Sequence, residues 1–301
     1  MCLDDFSVVI PTRNRPVLLR RAITSALDAG IDEARIVVVD DCSTDRTSHV
    51  ITDFPKLRLI CLDRQAGPSH ARNVGLSAVE SKFAVQLDDD DTLRPKALAA
   101  IQSSLNLLDN VEHYPVFQFC RTNASMSDRF LVATLADFVH RRLSGDFTQV
   151  IQTETFRHLG LSYPNTIIGG ESQLWFSVAK LVGIPTWNVT VVNLHTDAPI
   201  RLCSLTSQLD RPREYASSLD QILREFGSDL KAISPRFYWN KKFGAAIYRL
   251  LAGERRQALT HARELCTEGS ICRSAAIAAC AAMPTIMSRR LFSTFRRGIP
   301  K

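Results

Sequence analysis

Along the first 110 residues, short apolar runs alternate with longer segments in which apolar positions recur at helical spacing. Residues 6–10 form a run rich in β-branched side chains, closed by the turn-forming stretch Pro11-Thr12-Arg13-Asn14-Arg15-Pro16. Within residues 17–28, Leu18, Leu19, Ala22, Ile23, Ala26 and Leu27 repeat with helical periodicity. Pro16 suits the first helical turn, where its missing N–H has no intrahelical partner to lose. The pattern then recurs. Strands are predicted at 35–39, 57–62 and 83–87, and helices near 46–54, 69–79 and 95–108. Each predicted strand is a near-continuous apolar run, as expected where helices cover both faces of a parallel sheet. The spacing predicts a doubly wound α/β half.

Beyond residue 110 the rhythm loosens. Residues 116–121 and 190–194 read as strands, 130–142 as an amphipathic helix and 171–181 as a helix, while helical patterns dominate from about residue 219, most clearly at 238–251 and 255–265. The expected organisation is a regular α/β half over 1–110, a less regular half over 111–215 and a helical, basic C-terminal extension over 216–301. No internal repeat or low-complexity segment interrupts it.

Composition narrows the class. With 45% hydrophobic and 23% charged residues in 301, the chain is an ordinary globular protein with room for a large core. The net charge of +6 is unevenly spread: residues 201–301 hold 18 basic and 8 acidic side chains, and no acid follows Glu268. Such a tail suits nucleic acid, an anionic membrane surface or a phosphorylated acceptor. The eight cysteines are scattered without a Cys-x-x-Cys pair, so neither a disulfide framework nor a zinc site is expected. The N-terminus lacks the pattern of a secretory signal, and the most apolar stretch, 275–287, is too short to span a bilayer. The expected location is the cytoplasm, peripheral at the inner face of the cell membrane if the basic tail docks there.

Candidate chemistry lies where the predicted strands end, the edge at which open α/β sheets bind ligands. Three polar clusters sit there: 11–15, Asp40-Asp41-Cys42-Ser43-Thr44-Asp45, and Asp88-Asp89-Asp90-Asp91. Four consecutive carboxylates repel one another unless a cation or a basic partner neutralises them. An oxygen-rich site of this kind favours Mg²⁺ or Mn²⁺. The plain alternative is a solvated acidic turn. The 40–45 cluster reads equally as a capped turn or as a set of acceptors for a nucleotide base or ribose.

Taken together, 7–15, 37–45, Gly67-Pro68-Ser69-His70-Ala71-Arg72-Asn73-Val74-Gly75-Leu76, and 86–91 with Pro95 resemble the successive blocks of glycosyltransferase family 2, whose fold is GT-A. The resemblance implies a metal-dependent, inverting transfer from a nucleotide-sugar donor, a UDP-sugar first, to a saccharide or lipid-linked saccharide in surface polysaccharide or glycoconjugate synthesis. It implies nucleotide contacts from Pro11, Thr12, Arg13 and Asp41, with Asp40 beside them. It implies Asp88 and Asp90 as the metal pair, Asp90 as the direct ligand and Asp89 near the ribose. Arg72 is then either a sugar or phosphate contact or a salt-bridge partner of the aspartates.

The family's catalytic base sits in a glycine-preceded Glu-Asp pair, matched here by Gly170-Glu171-Ser172. Ser172 departs from the pattern, so that Glu171 is itself the base, another carboxylate serves, or activity is low; the plain alternative is that Glu171 only answers the helix dipole. His195 resembles the histidine placed near the diphosphate in relatives, or is a structural hydrogen-bonding residue. Arg201 is expected to close over the phosphates. Trp175 and Trp187 are either acceptor platforms or core. The tail 289–297 interleaves arginines with Leu291, Phe292 and Phe295, a pattern suited to an anionic interface or to a solvated helix end. Competing readings are a silent nucleotide-sugar-binding module, a nucleotidyltransferase, whose glycine-rich lysine loop is missing from 11–15, and nucleic-acid binding, which no recognised module accompanies.

Overall fold

The computed structural model describes residues 2–166, 168, 170–198, 204–284, 287, 288, 290 and 292. Arg201 and the tail residues Arg289, Leu291, Phe295, Arg296, Arg297 and Lys301 lie outside the described residues. The chain divides into two compact units, Met1–Ala198 and Pro199–Lys301.

Unit 1 begins with β1 (Phe6–Thr12), α1 (Pro16–Asp28), β2 (Ile36–Asp40), β3 (Arg58–Cys61), α2 (Pro68–Ala78), β4 (Phe83–Gln86), β5 (Thr92–Leu93) and α3 (Ala97–Leu105). It continues with β6 (Val116–Arg121), β7 (Ser125–Met126), β8 (Phe130–Ala133), α4 (Leu135–Val139), β9 (Leu143–Ser144), β10 (Phe147–Gln152), α5 (Thr153–His158), α6 (Glu171–Leu181) and β11 (Ile184–Asn193). Among the described residues nine of these strands build a mixed sheet in the order β3-β2-β1-β4-β10-β6-β11-β5, with β8 also paired to β11, while β7 and β9 pair separately. β1 is parallel to both β2 and β4, whereas β10 runs antiparallel between β4 and β6.

Side-chain alternation along β1 decides which helix packs where. Phe6, Val8 and Ile10 point with Ile36 and Val38 to the face covered by Leu19, Ala22 and Ile23 of α1 and by Leu98 and Ile101 of α3. Val9, Val37 and Val39 point to the other face, covered by Ala71 and Leu76 of α2 and by Leu174, Trp175 and Val178 of α6. Burying each of the valines, leucines and isoleucines among them contributes about 1.5–3 kcal/mol. α2 lies unusually close to the sheet, because a Cβ on Gly75 would come within 2.4 Å of Val9 Cγ1. Trp187 is core: its ring stacks on Phe119 at 5.0 Å with 7° between planes.

Three elements depart from the sequence pattern. The helix expected near 46–54 is a 3₁₀ segment, Thr47–Asp53. The amphipathic helix expected over 130–142 is instead β8, paired antiparallel with Ile184–Trp187, followed by the five-residue α4. The sheet also contains β10, which the pattern did not announce, because Thr148 and Gln152 are polar yet fully buried between strands.

Unit 2 is helical: α7 (Leu205–Asp210), α8 (Pro212–Ile233), α9 (Pro235–Leu251), α10 (Arg255–Thr267) and α11 (Ile271–Ala282). Its core joins Ala246 and Leu250 to Ala258, Ala262, Leu265, Ile277 and Ala281. Small residues at these positions let the helices approach closely. The buried Lys242 is matched by Glu264 at 2.9 Å and Glu268 at 3.2 Å, and Arg249 by Asp220 and Glu254. No helix among the described residues is long and apolar enough to cross a membrane.

Candidate active site

β1, β2 and β4 end on the same edge of the sheet, since all three run parallel. Pro11 is tolerated in β1 because β4 pairs only as far as Val9, so that beyond this point β1 has β2 on one side alone. Asn14 then takes a left-handed conformation (φ 53°), which asparagine tolerates better than most residues. Its Oδ1 accepts the Thr44 N–H at 2.8 Å and its own N–H donates to Ser43 Oγ at 2.9 Å, joining the first two strand-end loops.

The two aspartates after β2 face backbone. Asp40 Oδ1 accepts from Ser43 N–H at 2.9 Å, closing a turn. The Asp41 carboxylate accepts the N–H groups of Ala66 at 2.6 Å and Gly67 at 2.9 Å, fixing the start of α2. Arg13 has a buried Nε without a hydrogen-bond partner among the described residues.

The acidic run starts where strand pairing stops, after Leu87 N–H bonds to Val9 O at 3.1 Å. Its four side chains separate. Asp88, Asp90 and Asp91 each bring one carboxylate oxygen within 4.8 Å of the others, an all-oxygen set that could hold a divalent metal ion. Asp89 turns away and is buried, accepting from Thr12 Oγ1 at 2.8 Å and Arg15 Nη1 at 2.7 Å. Burial pushes its carboxyl up to about 6, against the pull of Arg15 and Thr12.

Guanidinium groups enclose the same cluster. Arg121, at the end of β6, places Nη1 at 2.7 Å from Asp88 Oδ2 and 2.7 Å from Asp91 Oδ2. Arg72 gives Nη2 to Asp88 Oδ1 at 2.6 Å and Nη1 to Glu171 Oε1 at 2.6 Å. Burial works to raise the Asp88 carboxyl, but Arg121 and Arg72 overcome it and hold it well below the usual carboxylate range. Asp91, only 1% exposed, is pushed by burial up to about 6 despite Arg121. Asp90 is the least committed, with Arg15 Nη1 at 3.5 Å. Five carboxylates (Asp88 to Asp91 and Glu171) thus meet three guanidiniums (Arg15, Arg72 and Arg121), and the two negative charges left over match one divalent cation. Basic partners therefore neutralise part of the run and leave charge for a cation to balance.

Glu171 opens α6. It is half-exposed and follows Gly170, whose φ of 89° and close approach to Thr166 Oγ1 leave no space for a Cβ. His195 closes on the site from β11: its N–H donates to Asp91 Oδ1 at 3.0 Å and its Nε2 lies 3.0 Å from Thr92 Oγ1. Arg21 binds Asp197 and also donates to the Asp90 carbonyl at 2.6 Å.

The structure thus gathers Thr12, Arg72, Asp88, Asp89, Asp90, Glu171 and His195 around one cluster, with Pro11, Arg13, Asp40 and Asp41 in the adjoining strand-end loops. Sequence reasoning passed over Asp91 as a third oxygen donor, and Arg15, Arg21 and Arg121 as counter-charges. Arg121 had a signal: a cation closing a mostly apolar strand.

Residues 7–123 match the family described as Glycosyl transferase family 2. The chain is 42% identical over 98 residues to the succinoglycan biosynthesis protein ExoO of Rhizobium meliloti, covering 32% of this chain and 28% of that protein. It is 29% identical over 193 residues to the GalNAc(5)-diNAcBac-PP-undecaprenol beta-1,3-glucosyltransferase of Campylobacter jejuni, covering 59% and 60%. The chain therefore spans less than two thirds of the length of either relative. In fold it resembles S. aureus TarS 1-349, with a TM-score of 0.59 at 17% identity over 98% of this chain and 92% of that one. It likewise resembles the mannosyltransferase PcManGT of Pyrobaculum calidifontis, solved with GDP-Man and Mn²⁺, with a TM-score of 0.55 at 17% identity over 96% and 83%. Both likenesses concern the GT-A fold. The match to glycosyl transferase family 2 thus covers residues 7–123, the stretch that carries the strand-end loops, the acidic run and Arg121.

Proposed function

We propose that the protein moves a sugar from a nucleoside diphosphate donor, a UDP-sugar first, to a saccharide or lipid-linked saccharide during polysaccharide or glycoconjugate synthesis. The observation that carries this reading is the convergence of Asp88, Asp90 and Asp91 at the strand edge, linked through Arg72 to Glu171 at the start of α6. Support comes also from the role of ExoO in succinoglycan biosynthesis, from the glucosyltransferase of C. jejuni and from the TarS structure solved with UDP-GlcNAc.

In this reading the loops carrying Pro11, Thr12, Arg13, Asp40 and Asp41 hold the nucleoside. Each Asp41 oxygen binds one backbone N–H and keeps a second lone pair for a base. Asp88, Asp90 and Asp91 would hold Mg²⁺ or Mn²⁺, which when bound supplies positive charge toward the departing diphosphate. Arg72 and His195 border the same space, and Asp89 keeps the β1 loop in place through Thr12 and Arg15. Glu171 accepts the proton of the acceptor hydroxyl as that oxygen attacks the anomeric carbon from the face opposite the leaving group, inverting its configuration.

The test is calorimetric titration of the protein with UDP, GDP and their sugar conjugates, with and without Mn²⁺ or Mg²⁺, followed by transfer assays. Metal-dependent binding of one nucleotide and transfer that drops about 10²–10⁴-fold in Glu171→Gln are expected. Failure of every nucleotide to bind removes the donor site, and full transfer in Glu171→Gln removes Glu171 as the base.

A lipid-linked acceptor would place the work at the cytoplasmic face of a membrane. Ile271, Cys272, Ala275, Ala276, Ala278, Ala279 and Ala282 are exposed on α11, followed by a sequence without acids up to Lys301. Flotation with vesicles containing anionic lipid, but not with neutral ones, is the expected result. Equal partition to both refutes the charge-based docking.

A further inference from the structure

Glu171 follows a loop, residues 159–170, that carries no helix or strand of its own among its described residues. Its position is nonetheless set by side chains of α2. Asn73 Nδ2 donates to Tyr163 O at 2.8 Å, and Tyr163 N–H donates to Asn73 Oδ1 at 2.8 Å. A side-chain amide thus pairs with one residue's backbone as a neighbouring strand would, fixing Tyr163 in both directions. The Tyr163 ring is 2% exposed and lies between two partners. The Arg72 guanidinium sits 5.6 Å from its centroid, and the Trp175 ring of α6 meets it edge-on at 5.6 Å and 85°.

Arg72 and Asn73 are neighbours on α2, a helix that cannot shift easily. Its start is bonded to Asp41, and Gly75 lies against Val9 and Val39. Behind Asn73 is a cavity of about 150 Å³ lined by residues including Leu76, Phe156 and Leu161.

We infer that Asn73 and Tyr163 are positioning residues for glycosyl transfer: they hold Arg72 in the orientation that places one guanidinium nitrogen on donor-side Asp88 and the other on Glu171. The inference rests on the transfer reading above. Glu171 then depends for its alignment on α2 rather than on its own loop. A displacement of about 1 Å at such a group is enough to lower turnover about 10²-fold.

The experiment compares Asn73→Ala, Tyr163→Leu and Tyr163→Phe with the wild type. It measures kcat, donor KM, the Kd of UDP with Mn²⁺, and hydrogen exchange at the Tyr163 amide. Asn73→Ala and Tyr163→Leu are expected to lower kcat about tenfold to 10²-fold while the Kd of UDP changes less than about threefold. Tyr163→Phe keeps the ring between Arg72 and Trp175 and is expected to restore most of the turnover. The Tyr163 amide is expected to be protected in the wild type and to exchange faster in Asn73→Ala. Unchanged kcat in Asn73→Ala and Tyr163→Leu, or a loss of kcat matched by an equal loss of UDP affinity, overturns the positioning role. So does a Tyr163→Phe variant as impaired as Tyr163→Leu. A wild type that binds no nucleotide and transfers no sugar fails at the transfer reading itself, and the assignment falls with it.

Discussion

Replacing Arg121 by methionine tests whether the acidic run is neutralised from within the protein. In the wild type one Arg121 nitrogen bonds both Asp88 and Asp91 at 2.7 Å, and Asp91 is 1% exposed. Methionine keeps most of the side-chain bulk, so the loss is chiefly electrostatic. Asp88 retains Arg72, whereas Asp91 retains only the His195 N–H among the contacts described above. A buried carboxylate in that position can always escape by taking up a proton. Asp91 already titrates at about 6 in the wild type, so taking up a proton at pH 7 adds at most about 1.4 kcal/mol to what its burial costs. Breaking a buried ion pair typically costs about 3–5 kcal/mol, so the larger share of the loss falls on Asp88, whose charge Arg121 helps to stabilise. The metal-free variant should therefore lose about 3–4 kcal/mol, a drop in Tm of roughly 6–16 °C for a domain of this size. A divalent ion held by Asp88, Asp90 and Asp91 replaces the missing charge, so Mn²⁺ or Mg²⁺ should raise the Tm of the variant more than that of the wild type. Differential scanning calorimetry in chelator and in millimolar metal gives both numbers. A loss below about 1 kcal/mol in chelator, together with equal metal responses, would refute the assignment of Arg121 as internal counter-charge.

Asp90→Asn should leave metal-free stability within about 1 kcal/mol, since Asp90 is the least paired of the four, while abolishing metal-dependent stabilisation by nucleotide in thermal-shift titrations. Gly75→Ala should destabilise by about 1–3 kcal/mol in urea unfolding, because the new methyl would meet Val9 Cγ1 at 2.4 Å. The pH profile of the metal-free protein should have two limbs. Asp89 and Asp91 titrate near 6, above the unfolded value, so their burial costs stability at neutral pH, and stability should rise as pH falls from 7 toward 5. Asp88, held well below the usual range by Arg121 and Arg72, contributes stability that is present above about pH 4 and lost as pH falls further, which isothermal urea titrations between pH 2.5 and 7 will show.

Much of unit 1 was legible because its signals are local. Apolar runs and helical repeats in the first 110 residues are set by side-chain periodicity, and the placement of 11–15, 40–45 and 88–91 at strand ends follows from where each run stops. The misread segment at 130–142 shows the limit. Phe130–Ala133 is a strand only because Ile184–Trp187, some fifty residues later, pairs with it, and a mixed local pattern holds no record of that partner. Residues 147–152 escaped notice for a related reason: Thr148 and Gln152 look solvent-facing, yet they are enclosed between neighbouring strands.

The sequence by itself determined the alternating α/β architecture and the acidic edge on which a donor site is expected, since both depend on periodicity and on residues close together in the chain. Only the tertiary structure decided how the four aspartates divide, with Asp89 turned to Thr12 and Arg15 while Asp91 joins Asp88 and Asp90. It alone revealed that Arg72 reaches across 99 positions to Glu171, and that Arg121 comes from a strand beyond β10 to meet Asp88. Coulomb attraction in a buried site depends on distance through space, and sheet order sets that distance independently of separation along the chain.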